Sequence, residues 1–373
     1  MDHIVSHVFR RGVASFGVAG EEPVKFDLPQ WGAALLGLTI IVSAAMSLMI
    51  EYTYGQVVAT LTMVESPSTV VLESIPSNDP DAPLDEKKEV EPELLVIKQQ
   101  PITAKFRTTI QHLRARAGRL SRFRGICLFY LCALGTGQIT ELFIALHIPR
   151  GVSAILAALV VARFSLGWTH IVMTEPSDKY WFRRLPSFKL WTKVAIPTAV
   201  LALTKQVTIG LPVFFFNALH LDELNSDKIS EMNRCQISLL VVRVLSLVGL
   251  GLFAAVAIVV PARVTLTRVQ ASLLSESEET IVPFDRSFGG KFVPADLGGS
   301  GVISMLEAWK TFDWNSRIRI LKVHAKVIAM QAAVAISTGA LLFAELQLMT
   351  GSQLLAIIAS AHGQGKASGP TDA

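Results

Sequence analysis

Long apolar runs alternate with polar, charged segments along the chain. Six of the runs contain about 20 residues or more, which is enough for a helix to cross the hydrocarbon layer of a bilayer. Numbered as spans 1 to 6, they cover residues 31–50, 125–148, 152–173, 190–219, 237–260 and 323–349. The pattern therefore predicts an all-α polytopic membrane protein, with about six transmembrane helices and amphipathic helices on its cytosolic side.

The polar segment 102–124 has the pattern of an amphipathic helix. Its apolar residues recur at helical spacing, which is typical of one face of a helix. The segment has no acidic residue, and its cationic residues are Lys105, Arg107, Arg114, Arg116, Arg119, Arg122 and Arg124. Two interpretations stay open. The helix lies on the membrane surface with its basic side toward anionic headgroups, or the charges are only the positive flank of span 2.

Positive charge also predicts how the spans are oriented. Basic residues precede span 2, follow span 3 and recur between spans 5 and 6, and these places fall on one side if the spans alternate. Because positive flanks tend to stay in the cytosol, that side is predicted to be cytosolic. Both termini then lie outside or in a lumen, although the flank before span 1 also holds Arg10, Arg11 and Lys25.

The segments between the spans differ in composition. The stretch after span 1 is rich in acidic residues and proline, which is typical of a chain that cannot bury enough apolar surface to fold. In chain order, the predicted parts are an N-terminal segment (1–30), the first transmembrane helix with an extension (31–63), an acidic, Pro-rich disordered linker (64–101), the basic amphipathic helix (102–124), a four-helix transmembrane core (125–262), a cytosolic amphipathic helix with a Gly-rich loop (263–317), the sixth transmembrane helix (318–350) and a flexible tail (351–373).

Composition agrees with a membrane protein. The chain is 51% hydrophobic and 17% charged, whereas soluble domains have about 25% charged residues. The net charge of +4 is concentrated beside the spans rather than in a soluble basic patch, so we expect no nucleic-acid partner. The three cysteines form no Cys-x-x-Cys pair, which favours small packing residues over a metal or redox site.

Four of the ionisable residues inside the predicted spans are candidates for a site, because a charge there is costly and often functional. Glu141 and Arg243 lie at a similar depth in spans 2 and 5, and Arg163 and Lys205 lie near the middle of spans 3 and 4. One interpretation is that Glu141 and Arg243 form an ion pair that holds two helices together. The other is that the three cations outnumber Glu141 and form a positively charged intramembrane site for an anionic solute or a lipid headgroup.

Known catalytic motifs are missing from the sequence. There is no H-E-x-x-H motif, no P-loop and no G-x-G-x-x-G after a strand. The string Gly298-Gly299-Ser300-Gly301 resembles a protease motif, but it lies in a polar loop and favours a flexible turn. We therefore expect no enzymatic activity, no cofactor and no metal site.

Four stretches of the sequence resemble a fungal family of multi-pass membrane proteins. They are residues 51–61 (EYTYGQVVATL), 260–274 (VPARVTLTRVQASLL), 278–291 (EETIVPFDRSFGGK) and 309–314 (WKTFDW). Members of that family are sometimes labelled "ubiquitin carrier protein", but this sequence has no His-Pro-Asn motif and carries two of its three cysteines inside span 2. The resemblance implies a fungal membrane protein and supplies no catalytic residues.

Three functions remain as hypotheses. The first is a transporter or membrane accessory protein that uses the positive intramembrane site. The second is a membrane scaffold that binds lipid headgroups or a partner through its basic cytosolic helix. The third is a lipid-modifying enzyme. All three have membrane lipids as partners and place the protein in the endomembrane system or the plasma membrane.

Overall fold

The structure is a computed structural model. The predicted flexible tail and all of the predicted N-terminal segment except Gln30 lie outside the described residues. The described residues are 30–66, 71–74, 94–97, 100–177, 180–221, 228, 232–293 and 298–350.

Helices dominate the described part of the chain, and six of them are long and apolar enough to cross a membrane. These six are Trp31–Val64, Ser121–Ala145, Arg150–Met173, Phe188–Ala218, Arg234–Ser272 and Trp314–Met349. The prediction of an all-α polytopic protein is confirmed. The length and composition of the helices support an integral, multi-pass membrane protein.

The first membrane helix changes character along its length. It consists of α1 (Gln30–Ile50), the π-helix π1 (Glu51–Val58) and α2 (Ala59–Val64). Large apolar side chains of α1 are exposed, among them Trp31 and Ile41, whereas every residue of α2 is buried. Exposed apolar side chains suit a lipid environment, so α1 has the surface of a membrane helix and α2 that of a protein core.

The remaining helices follow the predicted order. They are α3 (Phe106–Ala117), α4 (Ile126–Ala145), α5 (Arg150–Met173), α6 (Trp191–Ala218), α7 (Arg234–Ala254), the π-helix π2 (Ala255–Val259), α8 (Val260–Ser272), α9 (Met305–Lys310) and α10 (Trp314–Thr350). Short 3-10 helices cover Ile102–Ala104, Ser121–Phe123, Trp181–Arg184 and Phe188–Leu190.

The edges of the predicted linker carry structure. Strands β1 (Val71–Ser74) and β2 (Leu94–Ile97) pair antiparallel, with Val71 opposite Ile97. At the start of the linker, Glu65 is buried. Within the predicted disordered linker, the two strands therefore pair with each other, whereas Glu65 finds its partners outside the linker. Residues 75–93 lie outside the described residues, so the prediction stays a prediction there.

The chain divides into two compact units. Unit 1 consists of Met1–Met49, Thr208–Ala254 and Ala329–Ala373, and unit 2 consists of Ile50–Val207 and Ala255–Ile328. Four membrane helices therefore contribute parts to unit 1: α1, the end of α6, α7 and the second part of α10. Unit 2 holds α4 and α5 completely, together with the buried segments π1, α2 and α8.

In unit 1, three hydrogen bonds join α1 to the second part of α10. In order along α1, these bonds run from Thr39 to Glu345 (2.5 Å), from Thr338 to Ser43 (2.8 Å) and from Gln331 to Ser47 (3.0 Å). The partner numbers fall as the α1 numbers rise, so the two helices run antiparallel. Spans 1 and 6 must do so if six spans alternate across a membrane.

In unit 2, the helix ends that were predicted to share one side of the membrane pack together. Tyr52 of π1 donates a hydrogen bond to the carbonyl of Arg124, just before α4, and accepts one from Trp168 of α5 at 3.2 Å. Thr169 of α5 donates to Gln270 of α8 at 2.6 Å. Ends of spans 1, 2, 3 and 5 thus meet through side chains, in agreement with the predicted alternation.

A buried ion pair adds the last span to this assembly. The Glu65 side chain is 2% exposed, and its Oε2 accepts a hydrogen bond from Nη1 of Arg319 in α10 at 2.7 Å. The same carboxylate accepts hydrogen bonds from the amide of Ile102 at 2.6 Å and from the amide of Thr103 at 3.2 Å. One side chain therefore joins the end of α2 to two segments that are distant in sequence, residues 102–103 and the start of α10.

Helix α8 corrects one expectation. Its alternation of apolar and polar residues suggested a helix along the membrane surface, but Val264, Val269 and Ala271 are almost fully buried. The polar residues between them are buried too, because Arg268 and Gln270 find hydrogen-bond partners inside the protein. A helix that is buried on all sides belongs to a core.

The buried ion pair predicts a large effect of Arg319→Leu. Removing one partner leaves the Glu65 carboxylate buried without its counter-charge, and such changes cost about 3–5 kcal/mol. We expect a clearly lower midpoint of thermal unfolding for the purified full-length protein in detergent. Lys322→Leu is the matched control, because Lys322 is exposed on the same helix. Equal losses in both variants would contradict the role given to the pair.

Candidate functional site

The structure gives Glu141 an ion-pair partner close to it in the chain, and its predicted pair with Arg243 stays a prediction. The Glu141 side chain is 63% exposed and lies 3.6 Å from Arg150, whose side chain is 80% exposed. Its predicted partner, Arg243, belongs to α7 in unit 1 and is exposed. Exposed ion pairs contribute little to stability, so the contact with Arg150 gives Glu141 no strong structural role.

The other two predicted binding residues have separate surroundings. Arg163 donates through Nε to the carbonyl of Pro186 at 2.8 Å. Lys205 lies on α6 and is exposed. In the described part of unit 2, no hydrogen bond or ion pair joins any two of Glu141, Arg163 and Lys205. The structure does not assemble these residues into one site, and ligand binding by each stays a prediction.

A different polar cluster surrounds the π-helix. Gln56 of π1 donates through Nε2 to Glu51 at 2.8 Å and accepts through Oε1 from Nη2 of Arg263 at 2.5 Å. The same Nη2 donates to the carbonyl of Gly55 at 3.0 Å. A Cβ at Gly55 would lie 2.7 Å from Oε1 of Glu51. Any residue other than glycine would therefore displace this carboxylate. π-Helical turns often occur at functional sites.

Two further helices bring ionisable groups toward this cluster. The positive charge of Arg263 acts on Lys205 of α6 and on His324 of α10, and the charge of Glu51 acts on His324 as well. Nδ1 of His324 lies 2.9 Å from the carbonyl of Ile320. Because a carbonyl can only accept, Nδ1 carries a proton and Nε2 is the free ring nitrogen.

This cluster has more positive than negative charge. Arg263 lies among the charges of Lys205 and Glu51, so the cluster holds two basic side chains and one acidic side chain, which favours an anion over a metal ion. In the part of the chain that the structure describes, no group of three or more His, Cys, Asp and Glu residues is arranged to hold a metal ion. Of these residues, the sequence singled out only Lys205 as a binding residue, because the others lie at span ends or within polar segments.

A second buried arginine, Arg268 of α8, lies among aromatic rings. It donates to the carbonyl of Met63 at 3.3 Å and to Thr311 at 3.0 Å. Its guanidinium carbon is 4.9 Å from the ring centroid of Phe288 and 5.5 Å from that of Phe312. Cation–π contacts and hydrogen bonds together account for the burial of this charge. The contacts are structural ones, and sequence spacing gave no signal for them.

The basic segment 102–124 is not one helix. Helix α3 ends at Ala117, and Gly118 follows with a φ of +81°, a left-handed conformation that glycine adopts without strain. On the buried side of α3, Leu113 is 1% exposed and Ile110 packs against the same core cluster. The apolar face that was expected to enter the membrane surface therefore rests on the protein itself.

The cationic side of this segment remains open. Lys105, Arg107, Arg114 and Arg119 are exposed, and we call these four residues the basic face. Among the described residues, none of the four side chains has a hydrogen-bond or ion-pair partner. The other three cations of the segment differ: Arg116 pairs with Glu175 at 2.9 Å, and Arg122 and Arg124 are partly buried.

The π-helix cluster predicts a specific effect of Gln56→Leu. The change removes one hydrogen bond from Arg263 and one from Glu51, and leaving such charged groups without a partner costs about 1–3 kcal/mol each. We expect a lower midpoint of thermal unfolding in detergent. Gln138→Leu is the control, since Gln138 is an exposed residue of span 2. A Gln56→Leu variant as stable as the control would refute the cluster's structural coupling.

The loop after α8 contains a carboxylate with a perturbed pKa. Partial burial raises the pKa of Asp285, but hydrogen bonds from Ser287 and from the amide of Gly289 (2.8 Å), with the charge of Arg268, outweigh it. The pKa of Asp285 therefore lies below its usual value of 3.8. A depressed pKa means that the folded state prefers the charged carboxylate.

This shift predicts the direction of a pH effect. The stabilisation by Asp285 is fully present above its unfolded pKa and is lost as pH falls through the lower pKa of the folded state. Hydrogen–deuterium exchange of the 285–293 loop should distinguish wild type from Asp285→Asn at about pH 5 and converge with it in strong acid. A difference that persists unchanged in acid would show that charge is not the cause.

Comparisons with known proteins identify no relative of this chain. No protein-family model, no curated protein and no solved structure matches it. Its function therefore has to be inferred from its own side chains.

Proposed function

We propose that the protein is a membrane-anchored scaffold without enzymatic activity that binds anionic lipid headgroups through its basic face. The observation that carries this proposal is the fixed orientation of α3. Leu113 anchors the helix to the core of unit 2. Arg107 and Arg114 of the helix are exposed, and so are Lys105 just before it and Arg119 just after it.

The charges of the basic face support the proposal. No acidic residue occurs within segment 102–124. Among the described residues, the carboxylates that contact the segment are Glu175, which pairs with Arg116, and Glu65, which pairs with Arg319. The four exposed cations therefore keep their full charge for an external partner. A Lys or Arg near an anionic membrane surface contributes about 1 kcal/mol, and several such residues read together as a lipid-binding set.

The place of the basic face in the fold agrees with this ligand. Segment 102–124 leads directly into α4, so its charges lie at the end of a membrane helix. Lys and Arg residues on the cytosolic side of a membrane protein face the leaflet that carries the anionic lipids. A headgroup can reach such charges without leaving the bilayer.

Binding of a fluorescent phosphatidylserine in mixed detergent micelles tests the proposal. The test variant combines Lys105→Gln, Arg107→Gln, Arg114→Gln and Arg119→Gln in the full-length protein. We expect its affinity to fall by at least about tenfold, because four contributions of about 1 kcal/mol are removed. Added salt should weaken wild-type binding, since it screens exposed charges.

Two controls locate the effect. The charge-preserving set Lys105→Arg, Arg107→Lys, Arg114→Lys and Arg119→Lys should bind as wild type does. A variant with Arg150→Gln and Arg234→Gln removes exposed cations from the predicted opposite side and should also bind normally. If the test variant keeps its affinity, or if all charge-reducing variants lose it equally, the basic face is not the binding surface.

An intramembrane anion site is the second candidate function. The observation that favours it is the excess of basic side chains near π1, where the charge of Arg263 acts on Lys205 and the charge of Glu51 acts on Arg263. Lys205→Gln would then abolish binding or transport of an anionic solute in proteoliposomes, while the four-residue variant of the basic face would not.

A further inference from the structure

A small cavity lies where the second membrane helix begins and the third ends. It has a volume of about 260 Å³. Its lining includes Phe123 and Gly125 just before α4 and Cys127 in the first turn of α4, together with Ile171 and Arg184. Sites for drug-sized ligands usually have about 300–1,000 Å³. The cavity is therefore suited to a smaller group, such as a headgroup whose acyl chains stay in the bilayer.

One cation, Arg184, lines this cavity, and a second, Arg124, adjoins the lining. Among the described residues, neither has an ion-pair partner. Arg184 lines it and donates to Thr174 at 2.6 Å. Arg124 is the residue between two lining residues, and its buried Nη1 has no hydrogen-bond partner among the described residues. The charges of Arg184 and Arg124 repel each other. Glu175 also acts on Arg124, but its carboxylate already pairs with Arg116.

An anion between the two guanidinium groups would weaken their repulsion and would also give the unpaired donor a partner. It would screen their repulsion and accept a hydrogen bond from the unpaired Nη1, and a buried donor without a partner is costly. A phosphate is the anion that arginine binds best through its planar fork of donors. The rest of the lining is apolar, with Ile171 and Leu128 beside the charges, which suits the glycerol end of a lipid.

The surroundings place the cavity at headgroup depth. The second candidate span starts at Ser121, and the third ends at Met173. The cavity therefore lies level with the ends of two membrane helices. Nearby in the chain, Tyr180 and Phe188 are 68% and 66% exposed. Exposed aromatic side chains of this kind are enriched at membrane–water interfaces.

We propose that this cavity binds the phosphate group of one anionic phospholipid, held by Arg184 and Arg124. The inference rests on the proposed affinity of this end of the protein for anionic headgroups, but it assigns a discrete site with different residues. The basic face attracts lipids collectively, whereas the cavity retains a single molecule.

Native mass spectrometry of the full-length protein, released from nanodiscs of phosphatidylcholine with added phosphatidic acid, tests the site. We expect one phosphatidic acid to be retained by wild type and its retention to fall about tenfold or more in Arg184→Gln, since a hydrogen bond to a charged group is lost. Arg183→Gln is the matched control, because Arg183 is exposed, adjacent and absent from the lining. Equal retention in Arg184→Gln and wild type would overturn the proposal.

A second measurement leaves both arginines of the site unchanged. Cys127 lines the cavity and is a free, exposed thiol. In a Cys132→Ala, Cys235→Ala background, phosphatidic acid should slow alkylation of Cys127 relative to phosphatidylcholine alone. Unchanged alkylation would count against the site. Inorganic phosphate is the second probe, and protection by phosphate without any by the lipid would refute a lipid ligand.

The four-residue variant of the basic face separates this inference from the proposed function. If that variant loses phosphatidylserine binding in micelles but retains the single phosphatidic acid, both proposals stand. If it binds phosphatidylserine normally while Arg184→Gln loses the retained lipid, the cavity stands and the basic face fails. Loss of micelle binding with equal lipid retention in Arg184→Gln and wild type would overturn the cavity alone.

Discussion

The buried carboxylate of Glu65 is the constraint on which unit 2 depends. It directly follows the C-terminus of α2, where the helix dipole is negative, so a bare carboxylate there is doubly unfavourable. Its charge is compensated by Arg319, which lies 254 positions further along the chain, and by the amides of Ile102 and Thr103. The first and last membrane helices therefore have to meet before α2 can be buried.

Two more arginines reach the same stretch of chain. Arg263 binds the carbonyl of Gly55, and Arg268 binds the carbonyl of Met63. Met63 lies in the last turn of α2, where carbonyls lack partners within the helix and cations are favoured. The arginines between spans 5 and 6 thus have two roles. They agree with the predicted orientation of the spans. They also neutralise negative charge at the C-terminal end of the first membrane helix.

The sequence was sufficient to predict the six spans and their alternation because both depend on local properties, namely apolar run length and flanking charge. The surroundings of α3 and α8 were not predictable in this way. An apolar face can be buried against lipid or against protein, and the sequence of α3 is the same in both cases. Likewise, the polar residues of α8 suggested solvent because their partners, such as Thr169 and Thr311, are distant in sequence.

The candidate sites show the same limit. The cations of the basic face were identified from local pattern, and the structure shows that all four are exposed. Glu51, Gln56 and Arg263 were not identified, because their connection depends on contacts across more than two hundred residues. Glu345 was missed as well, since a single carboxylate near the end of a span resembles an ordinary interfacial residue.

The antiparallel hydrogen bonds between α1 and α10 have a consequence for biosynthesis. Thr39 and Glu345 are separated by 306 positions, which at about 5–20 residues per second corresponds to roughly 15–60 s of translation. During that interval the first helix has left the ribosome while its final neighbour does not yet exist. The hydroxyls of Thr39 and Ser43 can bond to their own helix meanwhile, whereas Glu345 enters the bilayer with a partner already waiting. The order of synthesis therefore places the tolerant polar groups first and the costly carboxylate last.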